Sequence, residues 1–139
     1  MEVNLGCGHL SDDELVAAFE ECALSPALFH HADHVRLAWI YAGRCDGKEA
    51  EEKLLAGIRR FAEKAGAPGK FQYTMTIAWS RLVVSARRNS KGESTFGEWI
   101  ANHPEFLDRR LLEKYYSKDK LENELARSAW VPPDLAPLG

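Results

Sequence analysis

The chain is poor in the features that usually announce a function. Its three cysteines, Cys7, Cys22 and Cys45, are odd in number and lack metal-knuckle spacing, which argues against a disulfide scaffold and for a reduced, cytoplasmic protein. No charge of one sign dominates: 18 basic against 21 acidic residues leave a formal charge of -3, with no electrostatic reason to expect nucleic acid or an anionic membrane as partner. No apolar run reaches transmembrane length, and Met1–Gly6 carries neither a basic nor an apolar leader region, so neither a membrane nor export is expected. Strand-type alternation and internal repeats are missing as well. A small molecule or another protein is the expected class of partner. A homodimer stays open, because four tryptophans and an apolar-rich tail could exceed what one small core buries.

What the chain does contain is helical punctuation. Ser11 with Glu14 forms a capping-box pattern, and Leu15, Val16, Phe19 and Cys22 follow at helical spacing, which predicts a helix over 12–23. Ser25-Pro26 interrupts it. A second helix is predicted from His30 or His31 to about Gly43, with Asp33 in its first turn. A third runs from Asp46 to Gly66 and a fourth from Phe71 to about Arg88. Thr95 with Glu98 opens a short fifth, and Pro104 through Tyr116, with Ser117 capping Leu121, supplies the rest. From Trp130 the run Val131-Pro132-Pro133-Asp134-Leu135-Ala136-Pro137 cannot be helical. The expectation is all-α: residues 1–139 form one domain, a bundle of about six helices with an extended, proline-rich C-terminal strap.

The densest chemistry lies in the eleven residues from Phe29 to Trp39, which hold three of the five histidines and Arg36. At about 100° per residue, His31 and His34 share one face of a helix that is apolar nearly all round, so that helix is expected to be the central one. The helix N-terminus disfavours extra positive charge, so both histidines are expected neutral, the form that accepts a proton or binds a metal. Zinc generally takes at least three protein ligands, however, and no His-Glu-x-x-His or Cys-x-x-Cys companion is present, so no metal is assigned. A third ligand would have to come from His103, Glu105 or Asp108. The competing reading makes these side chains ordinary caps, with Asp33 satisfying first-turn donors. Arg36, set inside the apolar segment, calls for an anionic ligand or an ion pair with Asp33, Asp108 or Glu113.

On the fourth helix Gln72, Tyr73, Thr76 and Ser80 lie opposite Phe71, Met75, Ala78 and Leu82. A polar but uncharged stripe suits a pocket wall, although it also fits an exposed face whose hydroxyls bond back to the preceding turn. Tyr115 and Tyr116 could add a phenol to the same cavity, against the competing expectation that one of them is core and the other partly exposed. The tryptophans Trp39, Trp79, Trp99 and Trp130 are expected to anchor core and tail. Cys7-Gly8-His9, half a metal clip without partners, is expected to be a flexible start.

The segments Phe29–Trp39, Phe71–Thr76 and Tyr115–Leu135 together resemble a family of small, uncharacterised bacterial proteins that share an F-x-H-x-x-H-[VIL]-R-[LV]-A-W core and a tail ending near D-L-x-P-L. The resemblance rests on Phe29, His31, His34, Arg36, Ala38 and Trp39. It implies positions of interest and no particular reaction or cofactor, and it favours His31 over His30 as the partner of His34. The family pattern carries a His-Glu pair where this chain has Gln72-Tyr73, which implies that two groups able to complete a metal site or an acid/base pair are missing. The functional expectation is a small-molecule pocket at the head of the second helix. There His31, His34 and Arg36 would act on the ligand, and Gln72, Tyr73, Thr76 and Tyr115 would hold it. A non-catalytic structural or protein-interaction module is the alternative, and a metal-dependent enzyme the second.

Overall fold

Side-chain caps set most of the helix starts. In the computed structural model, which describes residues 7–138, α1 (Asp12–Glu20) begins where the Ser11 hydroxyl accepts the Glu14 N–H and the Glu14 carboxylate accepts the Ser11 N–H. The helix ends earlier than its apolar spacing suggested, because Cys22 adopts a left-handed conformation (φ 55°) before Pro26 is reached. α2 (His31–Arg44) follows, and then α3 (Gly47–Lys64), capped by Asp46 on the Glu49 N–H.

α4 (Tyr73–Asn89) is capped by Gln72, whose Oε1 accepts the Met75 N–H at 2.7 Å. Gln72 is therefore the residue before the helix and not the first member of its polar stripe. Thr95 and Glu98 box the start of α5 (Phe96–Asn102). Segments 104–107 and 109–114 wind as tight 3-10 turns, and α6 (Lys118–Leu121) and α7 (Glu124–Ser128) are short. No strand occurs among the described residues. The protein is all-α, as expected, and its described residues form five substantial helices and several short ones.

α2 is the hub. It packs against α1, α3, α4, α5 and the 104–107 turn, most extensively against α4 and α3. Its Val35, Leu37, Ala38, Trp39, Ile40 and Tyr41 are all buried, which is why it reads as apolar all round. Close approach of α3 to α1 depends on Gly57: a Cβ there would lie 2.2 Å from the Phe19 ring.

Residues 129–138 form the strap, and side-chain bonds hold it down. The Thr74 hydroxyl donates to the Ala129 carbonyl (2.7 Å) and accepts the Val131 N–H (3.0 Å), while the Tyr116 hydroxyl donates to the Val131 carbonyl (2.7 Å). The Leu135 N–H reaches the Tyr115 carbonyl, and Asp134 accepts the Ser117 N–H. Trp130 rests under the Arg81 guanidinium, 4.2 Å from its ring centre.

Candidate functional site

The N-terminal turn of α2 is built around Asp33. Its buried carboxylate accepts the His30 N–H at 2.8 Å and the Cys7 N–H at 3.1 Å, so one side chain caps the helix and fastens the preceding segment. Cys7 is accordingly buried, and not part of a flexible start. The expected lack of a signal segment concerns Met1–Gly6, which lie outside the described residues. Burial raises the Asp33 pKa above the usual carboxylate range, and the two backbone hydrogen bonds pull it partly back.

One turn along, His31 and His34 face α4, their ring centres 6.4 Å apart. His31 Nε2 lies 3.0 Å from the Phe106 carbonyl, which can only accept. The neutral ring is thereby assigned: Nε2 carries the proton and Nδ1 keeps its lone pair. Trp79 meets the same ring edge-on at 4.7 Å. Burial lowers the His31 pKa, and the Arg109 charge adds to that more weakly.

His34 is the extreme case. Its Nε2 is buried and has no hydrogen-bond partner among the described residues, and burial, with a smaller contribution from His31, brings its pKa down to about 3. Both imidazoles are neutral at pH 7, as expected, though desolvation leads the causes.

Both histidines border a cavity of about 440 Å³. Phe29, Ile58, Met75, Trp79, Leu112 and Leu121 make its wall apolar, and His30, Gln72, Thr76 and Arg109 complete the polar part. Its size and mixed lining are those of small-molecule sites. The indoles of Trp39 and Trp99 also lack partners for their N–H among the described residues, but neither borders this cavity.

Most of the remaining polar capacity is committed. Gln72 spends its amide at both ends, Oε1 on Met75 and Nε2 on the Leu121 carbonyl (2.6 Å). The Thr76 hydroxyl donates to the Gln72 carbonyl at 2.9 Å, the back-bond that such residues make within helices. The stripe on α4 is nevertheless no exposed face: Thr76 and Ser80 are buried.

The other residues expected at the site fall elsewhere. Arg36 points its guanidinium to the other side of α2, bonding Asp12 Oδ1 (2.9 Å) and the carbonyls of Leu10 (2.8 Å) and Cys7 (3.4 Å). The ion pair its setting called for exists, with Asp12 and not with Asp33, Asp108 or Glu113. Arg36 borders a separate hollow of about 350 Å³, shared with Asp12, Asp33 and Phe96. Tyr73 and Tyr115 are half-buried and do not border the histidine cavity, and Tyr116 is the core phenol.

Two participants had no sequence signal strong enough to find them. The Phe106 carbonyl is a backbone group, and Arg109 sits in a polar run where nothing distinguishes it from Arg110. Yet Arg110 pairs with Asp108, whereas Arg109 makes no ion pair among the described residues.

His103 offers no ligand to this cavity. It stacks on Trp99 (4.9 Å) and lies 3.2 Å from the Ser90 hydroxyl, which donates to Glu93 at 2.5 Å. No group of three His, Cys, Asp or Glu side chains able to hold a metal ion occurs among the described residues. A larger, open groove of about 930 Å³ runs between α3, α4 and the strap, but its Arg81 is already engaged by Glu51 (2.7 Å) and Trp130. No helix among the described residues is long and apolar enough to cross a membrane. Compared with protein-family models, with curated proteins and with solved structures, the chain matches none.

Proposed function

We propose that this protein binds a small molecule in the cavity between α2 and α4, with His31 and His34 at its polar end. The observation that carries the proposal is His34 Nε2. A buried polar atom without a partner costs about 1–3 kcal/mol, and such a cost is tolerated where a ligand or a water supplies the missing bond. The cavity beside it has room for a compact organic ligand. Arg36, bound to Asp12, is given no part in this reading.

A purely structural role accounts well for Asp33 and for His31, whose bond to Phe106 ties α2 to the 104–107 turn. It leaves His34 unexplained. A fragment screen followed on the ring signals of His31 and His34 tests the proposal. Hits are expected to shift both, and His34→Phe, which fills space and removes the nitrogen, is expected to abolish binding without unfolding the chain. A screen in which nothing shifts those signals, or whose hits bind the variant equally, overturns it.

A further inference from the structure

Beside His31 and Thr76 the hydrogen-bonding capacity left in the cavity leans to acceptors. Gln72 has one N–H of its amide on the Leu121 carbonyl and its Oε1 on the Met75 N–H, which leaves it one N–H and one lone pair, and Thr76 has given its proton to the Gln72 carbonyl and offers only lone pairs. His31 has likewise spent its N–H on Phe106 and retains an acceptor at Nδ1. His34 Nε2 has no partner among the described residues and, in a neutral ring, either gives or takes a hydrogen bond according to tautomer. A group that only accepts, such as a ketone or ether oxygen, leaves the Thr76 and His31 lone pairs unmet. A hydroxyl donates to one of them and suits His34 in either tautomer.

The middle of the cavity is apolar and in part aromatic, with Phe29, Met75 and Trp79 on its wall. Its remaining polar groups are the exposed imidazole of His30 and Arg109, an exposed guanidinium with no ion pair among the described residues.

Resting on the reading that this cavity takes a small molecule, we propose that its ligand is a compact hydroxylated carboxylic acid with an apolar, preferably aromatic, body. The hydroxyl lies among His31, His34 and Thr76, and the carboxylate meets Arg109. A cationic ligand is disfavoured by the same guanidinium.

Three probes that differ by one group each test the assignment on the intact chain: para-hydroxyphenylpropionate, its methyl ether and its methyl ester, titrated by calorimetry and by NMR. The hydroxy acid is expected to bind tightest. The ether, which removes the donor, should bind about tenfold more weakly, and the ester, which removes the charge, about fivefold more weakly, since Arg109 is exposed and its pairing screened. Arg109→Gln should bring the acid down to the ester's affinity and leave the ester unchanged.

Equal binding of the three probes, or equal weakening of acid and ester by Arg109→Gln, overturns the ligand class. Failure of all three probes, when other fragments do shift His31 and His34, also overturns the class while the cavity reading stands. Failure of the probes and of the fragment screen together removes both.

Discussion

Asp33 and His34 are neighbours in the chain, and burial favours the uncharged form of each, so acid affects them in opposite senses. His34 has a folded pKa of about 3 against an ordinary value near 6.5, so between those values the unfolded chain holds a proton that the folded chain refuses. Stability due to His34 is thus complete above pH 6.5 and falls as the solution is acidified towards pH 3, by up to about 1.4 kcal/mol per pH unit. His31 pulls the same way. Asp33, with its raised pKa, works in the opposite direction once carboxylates begin to protonate. The urea midpoint is therefore expected to drop between pH 7 and pH 5, and His34→Gln should flatten that dependence. An unchanged slope in the variant would show that His34 titrates freely. Asp33→Ala leaves the His30 and Cys7 N–H groups without their acceptor and is expected to cost about 2 kcal/mol in thermal unfolding. Asp33→Asn, which keeps an acceptor oxygen, should recover part of the loss.

At the scale of elements, local chemistry was readable and distant pairing was not. The boxes at Ser11 and Thr95 and the cap at Asp46 were visible because each cap lies within three residues of the group it satisfies. Gln72 is an uncommon cap, and without that reading it passed for a helical residue on the polar stripe. The bond from Arg36 to Asp12 spans 24 residues and that from His31 to Phe106 spans 75, so neither has a spacing that the chain displays. For the same reason Tyr73 and Tyr115 could not be told from the phenol that goes inward, Tyr116.

Thr74 was missed as well, although it joins α4 to the strap. Thr74→Val strands the Ala129 carbonyl and the Val131 N–H in a buried place and is expected to cost about 2–3 kcal/mol. Limited proteolysis should then cut within 129–138 faster than in the parent chain, and an unaltered cleavage pattern would show the strap held by other contacts. Gly57→Ala drives a methyl into the Phe19 ring and should destabilise by about 1–3 kcal/mol, read from the urea midpoint.

For the whole molecule, a single buried cluster draws from α1 through α6 and takes Trp130 of the strap against its flank. Such continuity predicts one cooperative transition. Far-ultraviolet dichroism and tryptophan fluorescence are expected to give the same midpoint in urea, and a separate early fluorescence step would mark the strap as an independent unit. The class of fold was legible because periodicity and caps recur along the chain, and the hub was legible because one helix has no polar face. The histidine cavity was legible only at its address.

The bonds around that cavity bear on what could be moved to another scaffold. Its wall takes Phe29 and His31 from one end of the sequence and Leu121 from the other, with the Phe106 and Leu121 carbonyls fixing His31 and Gln72 in place. No peptide containing the histidine motif alone reproduces it, and a graft would have to carry nearly the entire domain.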